Sequence, residues 1–156
     1  TITNPNMTRF MMTVDDAVDL VSYAFKNAKS GDIFVQKAPA TNVGMLAKAL
    51  CELMGKDPKE TRIIGTRHGE KQYESLLSSE EMLNAEDLGD YYRIPPDLRD
   101  LNYGKFFDEG ELNLVESTEY SSNNTEQLDL AGTKEMLLKL KLVQAAIQGE
   151  RLDIEE

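Results

Sequence analysis

One cysteine and one histidine in 156 residues leave little material for metal chemistry. A zinc or iron site draws on several such side chains, so no metal constellation is expected. Glu86, Asp87 and Asp90 lack the Asp/Asn/Gly spacing of a calcium loop and read as a solvated acidic turn. Cys51 has no internal partner for a disulfide, and the apolar runs fall far short of a membrane span, so a reducing cytosol is the default compartment and no membrane partner is expected. Basic residues are also scarce, at 17 Lys and Arg against 28 Asp and Glu, for a formal net charge of −11. With no Lys/Arg-rich stretch, nucleic acid is excluded as a natural partner, and an anionic ligand needs a local cluster of cations. There is no Gly-rich dinucleotide fingerprint, no Tyr-x-x-x-Lys pair and no Walker-type loop. The first residue is Thr1 rather than Met, which reads as a piece of something longer.

What is present is an ordinary folding composition, 40% apolar and 29% charged, sufficient for one domain with a core. Thr13 and Asp16 form a short capping box, and Ala17, Val18, Val21, Ala24, Phe25 and Ala28 then recur at helical spacing up to Gly31. Ile33-Phe34-Val35 predicts a short strand. Thr41 is the expected cap of a second helix carrying Val43, Leu46, Ala47, Leu50, Leu53 and Met54, with Cys51 filling space on it and Gly55 and Pro58 closing it. Arg62-Ile63-Ile64 predicts a strand, Gln72 to Leu77 a helix, and Ser78 or Ser79 the start of another with Glu80 and Glu81 at its positive end. Residues 85–124, rich in Asp, Tyr, Pro, Asn and Ser and without a clean period, predict a stretch that is largely loop with short pieces of structure. A helix over about Leu130 to Gln148 buries Leu137, Leu140, Val143, Ala146 and Ile147 and stops at Gly149, before an acidic tail over 150–156. The fold class is mixed α/β.

The most informative residues are two arginines in turn settings, Arg9 in Pro5-Asn6-Met7-Thr8-Arg9-Phe10 and Arg67 in Gly65-Thr66-Arg67-His68-Gly69-Glu70-Lys71. If the fold brings them together, two planar guanidinium forks converge as in a diphosphate clamp. Gly69 lets a ligand approach the backbone, and Glu70 can accept from a sugar hydroxyl or simply favour a helix start. His68 could serve as a general base or be only a turn residue; no nucleophile or orienting acid lies near it in sequence.

Taken in order, Asn4-Pro5-Asn6-Met7-Thr8-Arg9-Phe10-Met11-Met12-Thr13, Asp15-Asp16-Ala17-Val18, Gly31-Asp32-Ile33-Phe34-Val35-Gln36-Lys37-Ala38-Pro39, Ile64-Gly65-Thr66-Arg67-His68-Gly69-Glu70-Lys71, Asp90-Tyr91-Tyr92-Arg93 and Asp100-Leu101-Asn102-Tyr103 resemble the carboxyl-terminal half of bacterial polysaccharide-biosynthesis enzymes of the extended short-chain dehydrogenase/reductase class. The resemblance is greatest to inverting UDP-N-acetylglucosamine 4,6-dehydratases (5-epimerases) of capsule and O-antigen pathways, a group often labelled UDP-glucose 4-epimerase. It implies that residues 1–149 form the UDP-sugar-binding carboxyl-terminal domain, with NADP and the catalytic residues on an amino-terminal Rossmann domain missing here. It also implies that Arg9 and Arg67 hold the diphosphate, that Glu70 takes a ribose hydroxyl, and that Thr8 and His68 lie near the substrate. Many sugar epimerases have Asp where this chain has Glu70.

On this resemblance the chain alone is expected to be inactive, since nothing in it could hold a nicotinamide. A simple UDP-sugar 4-epimerase and a non-enzymatic ligand-binding or interaction module are the alternatives. The stripe of Val18, Val21, Phe25, Ile33 and Val35 would dock on the missing domain and, uncovered, would drive association into a homo-oligomer.

Overall fold

The computed structural model describes residues 1–96 and 118–150. The expected segment at Asp100 to Tyr103 and the tail from 151 onward lie outside them. The chain gathers into two compact units, one from residues 1–17, 38–74 and 121 onward, the other from 18–37 and 75–120.

The first unit is built on β1 (Thr8–Phe10), which pairs antiparallel with β3 (Ala40–Asn42), placing Arg9 opposite Thr41. Helix α2 (Val43–Leu53) follows β3 without a break. Its cap is Asn42, whose side chain accepts from the Met45 N–H, and not Thr41, which is buried within β3. The first amides of α2 are satisfied from elsewhere in the chain: the Val43 N–H donates to the Met7 carbonyl at 2.8 Å and the Gly44 N–H to the Pro5 carbonyl at 2.9 Å. Cys51 is half-buried, its sulfur 3.7 Å from the Thr61 hydroxyl.

The expected single carboxyl-terminal helix is two, α4 (Leu130–Leu138) and α5 (Lys141–Gln148), with Leu140 extended between them. No proline or glycine breaks the helix there, so the cause is packing. Leu137 and Val143 both join Ala49 in the core, with Leu46, Leu50, Leu53, Met54 and Leu130 around them. Six residues along one straight helix would set them about 120° apart around its axis, and the break lets both face α2. The Gln144 side chain donates to the Leu138 carbonyl at 2.6 Å and so satisfies the exposed end of α4. Leu140, Ala146 and Ile147 are accordingly exposed rather than buried, while Ala145 goes inside. Gly149 ends α5 in the left-handed conformation, as expected. Thr133 and Thr41, both buried, bring their hydroxyls to 3.1 Å, and Lys134 of α4 pairs with Glu52 of α2.

In the second unit β2 (Ile33–Gln36) and β5 (Glu86–Asp87) flank β6 (Tyr91–Ile94) in an antiparallel sheet. Thus three strands, β5, β6 and one at Tyr120–Ser121, lie inside the 85–124 stretch, more regular structure than the short pieces expected there. The tyrosines that gave that stretch a loop-like composition are good strand formers: Tyr91 stacks on Tyr23 at 4.2 Å between centroids, and Tyr92 meets Tyr120 edge-on at 5.2 Å. Arg93 binds Asp32 in two places, at 2.9 and 3.1 Å, and Glu86 at 2.8 Å. The Asp32 side chain is 1% exposed, and this fork, with the Lys29 N–H, holds its carboxyl below the usual range.

Gln72 to Leu77 does not form a helix: β4 (Ser75–Leu77) occupies its end and pairs with β7 (Tyr120–Ser121). Helix α3 (Ser79–Asn84) starts as expected, with Ser78 and Glu81 in a reciprocal capping box. Helix α1 (Val14–Asn27) begins at the expected Thr13–Asp16 box, closed by bonds of 2.7, 2.8 and 3.1 Å. It buries no residue, and Val14, Val18, Val21 and Phe25 form an uncovered stripe in which Phe25 is 87% exposed. Ile33 is exposed as well, whereas Val35 is half-buried.

Candidate functional site

Two stretches of the first unit, residues 1–9 and 62–74, lie against each other. The expected strand at Arg62-Ile63-Ile64 is reduced to one parallel bridge between Ile2 and Ile63, held by the Ile2 N–H to the Arg62 carbonyl and the Ile64 N–H to the Ile2 carbonyl, both 2.9 Å. Gly65 and Gly69 then adopt φ of 85° and 79°, which turns the chain back at either end of Thr66-Arg67-His68. The Glu70 N–H closes the second turn on the Arg67 carbonyl at 3.2 Å, and the Thr8 N–H donates to the Gln72 carbonyl at 3.0 Å. The Asn4 amide reaches Gln72 Oε1 at 3.3 Å. The segments that carry Arg9 and Arg67 are therefore joined through their backbones at Ile2–Arg62, Ile2–Ile64 and Thr8–Gln72.

The guanidinium of Arg9 is the clamp between them. Its Nη2 donates to the Lys71 carbonyl at 2.9 Å and its Nη1 to the Thr8 carbonyl at 2.7 Å, with the Gln72 carbonyl at 3.4 Å. Nη2 also lies 3.7 Å from Met7 Sδ, and Nε lies 3.7 Å from a Glu74 oxygen. A guanidinium has five N–H groups in one plane, and here the four on Nη1 and Nη2 are engaged while Nε faces Glu74 across 3.7 Å. Arg9 thus differs from the open fork expected from sequence: it neutralises carbonyls at the base of the turn while adding positive charge there. The Arg67 guanidinium is exposed and makes no hydrogen bond or ion pair with a described residue.

Glu70 ties the turn internally. One carboxylate oxygen accepts from the Arg67 backbone N–H at 3.0 Å and the other from the Thr3 hydroxyl at 2.8 Å. Those two bonds, then the fields of Arg67 and Arg9, hold its carboxyl below its usual range, so it is an ionised acceptor with lone pairs still unused. That both arginines act on one carboxylate is the electrostatic sign that their charges share a neighbourhood. His68 is exposed at the crest of the turn. The Thr8 hydroxyl faces the protein, 2.9 Å from Ser122 Oγ.

Three participants were invisible in the sequence: Thr3 as partner of Glu70, Gln72 as the carbonyl bridge to β1, and Ser122, more than a hundred positions from Thr8. None carries a local signal, because each acts through contacts that only the fold creates. A groove of about 240 Å³ nearby is lined by Ile2, Gly44, Ala47, Lys48, Thr61 and Ile63, and includes none of the arginines or Glu70. Among the described residues no cluster of His, Cys, Asp and Glu could hold a metal, and no helix is long and apolar enough to cross a membrane.

Residues 1–96 match a family model described as polysaccharide biosynthesis protein, and residues 97–144 one described as polysaccharide biosynthesis protein C-terminal. Proteins named UDP-glucose 4-epimerase from Rickettsia felis and Rickettsia canadensis are each 57% identical to this chain over 149 residues. The match takes in 96% of this chain and 43% of theirs, so the chain spans less than half the length of these relatives. Among solved structures, Pen from Bacillus thuringiensis superposes with a TM-score of 0.68 at 29% identity, covering 88% of this chain and 39% of that one. Arg9, Arg67 and Glu70 all fall within the first matched segment, and the chain belongs to the polysaccharide biosynthesis protein family.

Proposed function

We propose that the first unit carries the nucleotide-binding surface of an epimerase-type nucleotide-sugar enzyme. In this reading the Arg67 fork takes phosphate oxygens of a UDP-sugar, Arg9 supports the turn and supplies a second positive charge, and Glu70 accepts from a ribose hydroxyl. The observation that carries it is the single turn in which Arg67 has no partner among the described residues, beside an ionised Glu70, while Arg9 locks its base. Phosphate recognition by a guanidinium needs an unpaired fork and nearby positive potential, and this turn supplies both in a chain of net charge −11. The family and the named relatives support the same substrate class.

The finer reading is a UDP-N-acetylglucosamine 4,6-dehydratase with 5-epimerase action in capsule or O-antigen synthesis, NADP-dependent in the complete enzyme. In this reading the nicotinamide cofactor belongs to the part of the complete enzyme outside this chain. Helix α2, the one helix entered directly from a strand, has its first amides taken by Met7, Pro5 and Asn42, so no step of the redox chemistry is assigned to this chain. The names of the relatives favour a second reading, a 4-epimerase without dehydration.

UDP titrated by calorimetry into the polypeptide at its full natural length tests the binding claim. Arg67→Ala should weaken UDP by about 10- to 150-fold, the worth of a charged hydrogen-bond partner, with stability unchanged within about 0.5 kcal/mol. Unchanged affinity would remove Arg67 from the site. Mass analysis of UDP-N-acetylglucosamine after incubation separates the two chemistries: loss of one water marks the dehydratase, an unchanged mass with an inverted centre the epimerase.

A further inference from the structure

Ser122 is fully buried, and it ties its own segment to the backbone of both Thr8 and Glu74. Its N–H donates to the Glu74 carbonyl at 2.8 Å, and its Oγ accepts from the Glu74 N–H at 3.0 Å. The same Oγ donates to the Thr8 carbonyl at 3.0 Å and lies 2.9 Å from Thr8 Oγ1. A serine hydroxyl has one proton and two acceptor positions. With its proton on the Thr8 carbonyl, Thr8 Oγ1 must be the donor in the remaining contact, so all three capacities are filled. The Gln127 amide secures the segment by donating to the Ser122 carbonyl at 2.9 Å and the Thr125 carbonyl at 3.0 Å.

The Thr8 carbonyl that Ser122 holds also receives Arg9 Nη1, and Glu74, whose backbone Ser122 holds twice, faces Arg9 Nε through its side chain. The hydroxyl therefore fixes both ends of the platform on which the Arg9 guanidinium lies. We propose that Ser122 is a positioning residue for the anion-binding surface: it sets the spacing between β1 and the 70–74 segment, which seats Arg9 and through it the Arg67 turn. This inference rests on the nucleotide-binding reading above. Ser122 itself is too deeply enclosed to touch a ligand, and Thr8, whose hydroxyl is spent on it, acts in the same indirect way.

The test is UDP calorimetry on the full-length polypeptide carrying Ser122→Ala, with Val143→Ala as a control for loss of stability alone, since Val143 packs in the core of α5 away from these bonds. Ser122→Ala should weaken UDP by about tenfold, the scale of a lost buried hydrogen-bond partner, while Val143→Ala leaves affinity unchanged. Placed in an Arg9→Ala background, Ser122→Ala should change affinity by less than about twofold, because both substitutions act on one platform. Equal losses from Ser122→Ala and Val143→Ala, or losses from Ser122 and Arg9 that multiply, would overturn the proposal. If Ser122→Ala does not fold, Thr8→Val removes the hydroxyl that donates to Ser122 Oγ and leaves the other Ser122 bonds in place, and should show a smaller loss in the same direction; no loss refutes the proposal. Failure of the underlying reading has its own mark, since UDP binding would then be unaffected by Arg67→Ala and Arg9→Ala as well.

Discussion

Replacing Gly44 with alanine presses directly on the turn that delivers Arg9. Gly44 sits in the first turn of α2 with its N–H on the Pro5 carbonyl. An added Cβ would stand 2.9 Å from Pro5 Cβ, 3.1 Å from the Pro5 carbonyl oxygen and 3.4 Å from the Asn42 oxygen that caps the helix. The nearest two atoms belong to a rigid ring and a backbone carbonyl, so neither can rotate aside. Helix propensity alone would make Gly44→Ala stabilising by up to about 1 kcal/mol. Forcing an extra methyl into a close-packed contact costs about 1–3 kcal/mol, and the steric term wins by roughly 1 kcal/mol. For a chain of this size that is a fall in melting temperature of about 2–4 °C. Since Asn4 to Met7 must shift to relieve the contact, and Asn4 also holds Gln72, UDP affinity should fall with stability. Urea unfolding and UDP titration of the same variant measure both. A variant as stable as the parent, or more so, would show that the Pro5 turn yields freely and does not hold Arg9 in place.

Two further outcomes are expected. Phe25→Ser should leave the unfolding free energy within about 0.5 kcal/mol of the parent, because an 87% exposed ring has little burial to lose, and should reduce binding of an apolar-surface dye; a loss above about 2 kcal/mol would mean that the ring is covered in solution. Glu70 has a folded pKa lowered from the usual 4.5, so its contribution to the turn is fully present above that value and is lost as pH falls through the lower, folded one. The Arg67 amide resonance, which reports the bond to Glu70, should therefore titrate below 4.5, and titration at or above it would contradict the geometry.

The elements legible from sequence were those whose cause is local. The Thr13–Asp16 and Ser78–Glu81 boxes each need only four consecutive residues, and α1 and α3 start where those boxes put them. Gly149 is equally local. The errors share one cause, a tertiary contact overriding a one-dimensional pattern. Thr41 looks like a cap but is taken into β3 by pairing with Arg9 and by the Thr133 hydroxyl, leaving Asn42 to cap. The helical spacing across residues 130–148 is interrupted because Leu137 and Val143 are both drawn to Ala49. Strand β6 hid in a tyrosine-rich stretch because its evidence lies across the sheet, in Phe34, Asp32 and Tyr23.

The same division runs through the site. The glycine-flanked arginine turn could be read directly, since Gly65 and Gly69 advertise positive φ, and Arg67 between them is left facing solvent. What could not be read is why Arg67 has no partner among the described residues of so acidic a chain. Glu70, its obvious partner at three residues' distance, has its two oxygens engaged by neutral donors, the Thr3 hydroxyl and the Arg67 backbone N–H. Arg9 meanwhile spends its Nη1 and Nη2 on carbonyls and turns only its Nε toward a carboxylate, that of Glu74 at 3.7 Å. Elsewhere Arg93, Lys37 and Lys134 are each satisfied by a carboxylate. At this turn the fold gives Glu70 neutral donors and turns most of the Arg9 fork onto carbonyls, and so leaves the Arg67 guanidinium open to an anion from outside, with the acids more than about 10 Å away screened by salt.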